Sequence, residues 1–274
     1  MCRLYAHRAL QPLPVAGVLV DDAHSLLKQS CKDLRGETHG DGWGIGYYDG
    51  ETPRVVRSPT AARESPEYDT AARQIHSPIV LAHVRQASVG SRLMENAHPF
   101  QYGRWLFMHN GTVTGFAEIR ERVLAETDAD LRENIQGTTD SEHVFYWLLS
   151  RLRRAGETAE GPAKSLDCLT RVIAEAIPVL DSLSQGTNPS EPARLNFAIT
   201  DGVSLVVSRF KHNLHWRLLS PAGEGDPDAD AAESSERRAV LVASEPIGDE
   251  TWAVVPDGHV LSIACNLTTR FIAI

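Results

Sequence analysis

The chain has 274 residues, 42% hydrophobic and 23% charged, enough for one large folded domain with a substantial core. Its formal net charge of −9 argues against a general nucleic-acid binder, and no apolar run approaches the ~18 residues of a membrane span. The N-terminus lacks the charged and apolar regions of a secretory leader, and the four cysteines (Cys2, Cys31, Cys168, Cys265) form no C-x-x-C pair. A disulfide scaffold and a zinc ribbon are therefore not expected, and a reducing cytoplasm is the default compartment.

Residues 3–9 read as a short strand carrying Cys2 at its tip. Removal of Met1, which a small second residue permits, would leave a thiol and a free α-amine on one residue, with ordinary pKa values of ~8.5 and ~7.7–8.0. The amine is then partly neutral at physiological pH and able to take the thiol's proton, so one residue supplies nucleophile and base. Taken alone, the dipeptide favours the other reading of Cys2, a small apolar side chain opening an edge strand. Cys31, Cys168 and Cys265 read as buried apolar side chains.

Asp21–Lys32 suits a short helix, with Asp21 and Asp22 at its start and Leu26 and Leu27 on one side. Four glycines then alternate through His39–Tyr48. No G-x-x-x-x-G-K-[ST] spacing is present, so this is not a phosphate loop. Glycine at this density implies close backbone approach, to a neighbouring strand or to a ligand. Pro53–Ser58 reads as a return strand, Tyr68–His76 as a helix, and Ile79–Val84 as a buried strand ending at Arg85. Arg104–His109 is a further strand, which Asn110-Gly111, the strongest two-residue hairpin turn, would stop.

Phe116–Glu126 has a helical pattern, and Thr138–Glu142 precedes the apolar run Val144–Leu149 as a helix start. Leu166–Leu183 is a second, longer helix, followed by a polar turn at Thr187–Pro192. From Arg194 the pattern changes to strands: Leu195–Thr200, Val203–Phe210 and Leu214–Leu219. The acidic, small-residue-rich stretch Pro221–Arg238 reads as a surface loop. The strands Ala239–Ala243, Trp252–Val255, Val260–Ala264 and Phe271–Ile274 close the chain. Strands, then helices, then strands imply an antiparallel α+β arrangement in one domain, residues 1–274.

Six short motifs carry a further signal: Met1-Cys2-Arg3, Asp41-Gly42-Trp43-Gly44, Ala82-His83-Val84-Arg85, Asn96-Ala97-His98-Pro99, His109-Asn110-Gly111 and Thr139-Asp140-Ser141-Glu142. Each is weak alone, but in this order the set resembles the N-terminal-nucleophile (class II) glutamine amidotransferases. The resemblance implies an Ntn-hydrolase-like four-layer αββα sandwich of two antiparallel sheets. It implies hydrolysis of the γ-amide of glutamine, or of a small γ-glutamyl amide, through a thioester on Cys2.

It also places an oxyanion hole at the Asn110 side-chain amide and the Gly111 N–H, donors typically worth ~2.7–4 kcal/mol each. Glycine at 111 would let the backbone approach the substrate. Arg85 and Ser88 would hold the substrate carboxylate, and Asp140 its α-ammonium, with helix capping as the alternative role for Asp140. Ala97, His98 and Asp41 would line the site, a purely structural role being the alternative for His98 and His83. No cofactor or metal is implied, and the histidines show no H-E-x-x-H spacing.

The resemblance uses up the chain, leaving no room for a fused synthase, and Gln86 stands where relatives often carry an aromatic residue. A stand-alone amidohydrolase is therefore expected. Two alternatives stay open: a glutaminase subunit feeding ammonia to a separate synthase partner, and a non-catalytic glutamine-binding module.

Overall fold

Both faces of β1 (Arg3–Pro14) are buried along its first half, so structure must cover it on each side. The computed structural model describes residues 2–88, 90–188, 190–220 and 238–274. After β1 come a π-helical turn (Gly17–Asp21), α1 (Leu26–Cys31), β2 (Trp43–Asp49), β3 (Thr52–Ser58) and α2 (Pro66–Gln74). Then follow β4 (His76–Val84), β5 (Phe100–Tyr102) and β6 (Trp105–Thr112). The helical stretch comprises α3 (Phe116–Ala125), α4 (Ala129–Arg132), α5 (Asp140–Arg154) and α6 (Leu166–Thr187). The rest is β7 (Arg194–Thr200), β8 (Leu205–Arg209), β9 (His215–Leu219), β10 (Ala239–Ala243), β11 (Ala253–Val254), β12 (His259–Ile263) and β13 (Thr269–Ala273).

The strands form two antiparallel sheets, ordered β11-β9-β10-β1-β4-β2-β3 and β13-β12-β8-β7-β6-β5. Three apolar clusters show how they stack. Period-two alternation sends Leu4, Ala6, Leu81 and Ile79 from the first sheet toward Leu106, Met108, Ala198 and Val207 of the second. The opposite face of the first sheet (Tyr5, Ala82, Trp43) packs against Leu26, Tyr68 and Ala72 of α1 and α2. The opposite face of the second (Phe107, Phe197, Ile199) packs against α3, α5 and α6 through Ile119, Phe145 and Ile173. Three interfaces make four layers, helix–sheet–sheet–helix, the α+β sandwich expected.

Most strand expectations hold within a few residues; the exceptions have local causes. Asp21–Lys32 is not one helix: His24 takes a positive φ of 57°, and α1 starts only after Ser25. Asn110-Gly111 is not a hairpin turn, because β6 continues through both residues and pairs Asn110 with Asn196 and Gly111 with Leu195 on β7. Seven-residue pairing with a long-range partner overrides the local turn preference. Cys31 and Cys265 are exposed and Cys168 is half-buried, so these three are not core side chains. The expected acidic loop falls, over 221–237, outside the described residues. Among the described residues no helix is long and apolar enough to cross a membrane.

The alternating glycines have a packing explanation. Trp43 and Ile45 of β2 face the helices, leaving Gly44 and Gly46 on the face between the sheets. There the cis His98–Pro99 segment lies on them. A Cβ on Gly44 would stand 2.1 Å from the His98 carbonyl oxygen, and one on Gly46 would stand 2.7 Å from Pro99 Cγ. The close neighbour is thus another segment of the chain.

Candidate active site

Cys2 immediately precedes β1 and is 8% exposed. Alternation with Leu4 and Ala6 turns it toward the space between the sheets. On β6, Asn110 follows Leu106 and Met108 on the facing surface, and it is fully buried. The two residues approach from opposite sheets at the same end of the sandwich. Ser244 links the two sides: its Oγ accepts from Leu4 N at 2.9 Å and lies 2.7 Å from Asn110 Nδ2.

The Cys2 sulfur sits against the backbone of Gln86. The Gln86 N–H donates to Sγ and the thiol donates to the Gln86 carbonyl, both at 3.3 Å. Burial pushes the thiol pKa up, and the Gln86 contact and the charge of Arg85 oppose the rise. The charge of Asp140 also reaches the sulfur and adds to the rise, so sequence-distant Arg85 and Asp140 both belong to the surroundings of Cys2.

Arg85 immediately follows β4, and there its N–H donates to Gly42 O at 2.8 Å and its carbonyl accepts from Asp41 N at 2.9 Å. Its guanidinium donates to the carbonyls of Asp41 (3.3 Å), Ser91 (3.0 Å) and Gly90 (3.1 Å). Asp41 braces the same loop by accepting from Ala87 N at 2.8 Å. Ser88 is farther out; its hydroxyl lies 3.0 Å from that of Thr112, one residue beyond Gly111.

Gly111 has a tight contact of its own, since a Cβ there would stand 1.8 Å from the Arg194 carbonyl oxygen on β7. The neighbouring strand, then, already requires glycine at this position. Asp140 is the first residue of α5, but the cap is Thr139, whose side chain accepts from Glu142 N. Asp140 instead accepts from Val113 N and Ser141 N, both at 2.8 Å, and from Ser141 Oγ at 3.1 Å. His109 Nδ1 lies 3.0 Å from Ser141 Oγ, and its Nε2 donates to Arg194 O at 2.8 Å. One short stretch, His109–Val113, thus presents the Asn110 amide and helps fix Asp140.

His98 and His83 lie together between the sheets, tilted by 31° with ring centroids 4.2 Å apart. Neither ring makes a well-formed hydrogen bond among the described residues, the His109 backbone reaching His83 only closely enough to oppose its downward shift. Burial keeps both rings neutral, holding His83 down at about 3 and His98 well below the usual range. Ala97 is buried beside them, its carbonyl accepting from Arg57 at 3.2 Å. The His98 carbonyl is the group that rests on Gly44.

Two features were not anticipated from the sequence. Arg3 points from β1 to the helix side, pairing with Asp33 and, at 2.8 Å, with Glu245, while its Nη1 donates to the Cys2 carbonyl at 2.9 Å. Ser244 precedes Glu245 at the end of β10. The only sequence signal for either was a polar pair, Ser244-Glu245, closing the apolar run Ala239–Ala243. Among the described residues, no three His, Cys, Asp or Glu side chains are grouped to hold a metal ion.

Comparison with known proteins agrees with this architecture. The family model "Glutamine amidotransferases class-II" matches residues 19–267. The yeast (Saccharomyces cerevisiae) protein named "Probable glutamine amidotransferase DUG3" is 31% identical over 292 residues, spanning 96% of this chain and 82% of its own length. The gamma-glutamyl-hercynylcysteine sulfoxide hydrolase of Mycobacterium tuberculosis is 27% identical, spanning 96% of this chain and 93% of its own. Among solved structures, a glutamine aminotransferase class-II domain protein from Silicibacter pomeroyi shares the fold with a TM-score of 0.67 at 23% identity, covering 99% of both chains. With the family model spanning most of the sequence, this chain belongs to the class II glutamine amidotransferases.

Proposed function

We propose that this chain hydrolyses the γ-amide of glutamine or of a small γ-glutamyl amide through a covalent thioester on Cys2. The observation that carries the reading is that Cys2 and Asn110 stand at the same end of facing sheets, bridged by Ser244 between Leu4 and Asn110, with the charges of Arg85 and Asp140 both acting on the sulfur. A relative of matching length whose name gives it a γ-glutamyl substrate supports hydrolysis as the outcome.

In this reading Met1 is removed and the freed α-amine of Cys2 takes the thiol proton. That step matters because burial alone disfavours the thiolate. The sulfur attacks the γ-carbonyl carbon, and the oxyanion is met by the Asn110 amide and the Gly111 N–H. Arg85, with Ser88 beside it, takes the substrate carboxylate as a planar fork, and Asp140 takes its ammonium. Ala97 and His98 shape the wall. The proton then passes from the α-ammonium of Cys2 to the leaving nitrogen and the C–N bond breaks. Water, deprotonated by the same amine, attacks the thioester to release glutamate and restore the thiol.

The test is glutamate release from glutamine and a panel of γ-glutamyl amides, with intact mass confirming Met1 removal. Wild type is expected to turn over and to gain one adduct from diazo-oxo-norleucine, and Cys2→Ala to do neither. Full activity in protein that retains Met1 would refute the amine as base.

A further inference from the structure

Ser244 is 2% exposed and clamped to β1: its N–H donates to the Leu4 carbonyl at 3.0 Å, and its Oγ accepts from Leu4 N at 2.9 Å. With Asn110 Nδ2 turned toward it at 2.7 Å, the hydroxyl oxygen receives two donors. Its own hydrogen then meets no acceptor among the described residues. Asn110 Oδ1, equally buried, has no partner among them either. Two adjacent buried groups are left without a protein partner, one a donor and one an acceptor, which buried polar groups rarely are.

Exchanging the two ends of the amide gives the hydroxyl hydrogen an acceptor and Oδ1 a donor, and it leaves Nδ2, in the place Oδ1 held, with both hydrogens open to a ligand oxygen. A side-chain amide is oriented by the hydrogen bonds open to it. We propose that Ser244 is a positioning residue: its hydroxyl donates to Asn110 Oδ1 and so turns both Nδ2–H bonds to the inner face that Cys2 shares. This rests on the reading of Asn110 as an oxyanion donor and deepens it. Without the hydroxyl, the amide is free to present its oxygen to a developing negative charge, which repels it.

The role predicts a split between rate and binding. Ser244→Ala lowers kcat for glutamate release by roughly tenfold or more, and KM moves less than about threefold. Ser244→Thr, which keeps the hydroxyl, recovers most of the rate. The γ-aldehyde analogue of glutamine provides a second readout. Its carbonyl carbon bonds to Sγ, the C=O π bond opens, and the thiol proton ends on the oxygen, giving a hemithioacetal. Its affinity falls in parallel with kcat in Ser244→Ala, while the affinity for glutamate does not.

A kcat within about twofold of wild type in folded Ser244→Ala overturns the assignment. Asn110→Ala separates the two levels. If it is impaired and Ser244→Ala is not, only the Ser244 role falls; if Asn110→Ala is itself fully active, the oxyanion reading falls with it. Should Ser244→Ala not fold, wild-type protein labelled with 15N-asparagine decides. Both Asn110 amide protons, identified by their loss in Asn110→Ala, should shift when the aldehyde adduct forms. One proton that stays in place, as a lasting bond to Ser244 requires, overturns the proposal.

Discussion

Gly44→Ala offers a sharp check on how the site wall is built. An ideal Cβ at residue 44 stands 2.1 Å from the His98 carbonyl oxygen, 3.1 Å from the His98 carbonyl carbon and 3.0 Å from Arg57 Cβ. Contacts below about 3 Å are not tolerated, so the His98–Pro99 segment must retreat by roughly 1 Å. It has little room, since a Cβ at Gly46 would lie 2.7 Å from Pro99 Cγ and 3.1 Å from Leu106 Cδ1 of the other sheet. Overpacking of this kind costs about 1–3 kcal/mol, and backbone on both sides puts this site at the upper end. Unfolding entropy of about 2.1 cal/mol/K per residue amounts to roughly 0.6 kcal/mol/K for 274 residues, so the melting temperature should fall by about 5 °C.

Gly40→Ala is the control, because its Cβ meets nothing closer than 3.6 Å, and it should melt within about 1 °C of wild type. Thermal melts by circular dichroism, paired with glutamate-release kinetics, measure both effects. An unchanged melt for Gly44→Ala together with a raised KM would show that the glycine makes room for a ligand, and the packing argument would fail.

Three more outcomes follow from the charges. The Cys2 thiol is pushed up mainly by burial, so kcat/KM should climb between pH 6 and 8 as an α-amine of pKa ~7.7–8.0 loses its proton, and a flat profile would reject that base. His83 and His98 are held neutral when folded, with His83 down at about 3, yet they bind protons near ~6.5 when unfolded. The unfolded chain thus takes up more protons below ~6.5, and His83 should remove about 1.4 kcal/mol of stability per pH unit on acidification toward 3, with His98 acting in the same direction. Urea midpoints that stay level between pH 7 and 5.5 would mean the rings are charged in the folded protein. Arg3→Met removes the cation shared by the buried carboxylates of Asp33 and Glu245. Asp33 keeps the Arg35 and Glu37 N–H groups and His39, and Glu245 keeps His24 and the Leu34 N–H, so a loss of about 3 kcal/mol, the lower end for a broken buried pair, is expected in the same urea titration. A loss below about 1 kcal/mol would show that those carboxylates find other partners or water.

Much of this molecule was written locally. Short apolar runs such as Ile79–Val84 and Ala239–Ala243 marked strands, and Thr138–Glu142 before the apolar run Val144–Leu149 marked the start of α5, because strand preference and capping act within a few residues. The order of short motifs around Cys2, Arg85, Asn110 and Asp140 pointed to the family and to the candidate site residues.

What needed the fold was everything decided by a distant neighbour. Asn110-Gly111 reads as a turn until β7 pairs with it, and whether chain or ligand approaches Gly44 stays open until His98–Pro99 lies on it. Ser244 could not be linked to Asn110 at all, since 134 residues separate them and only the stacking of the two sheets brings their polar atoms within 2.7 Å. Local chemistry selects the elements, but a contact between two sheets depends on how they stack, and no short window of residues carries that information.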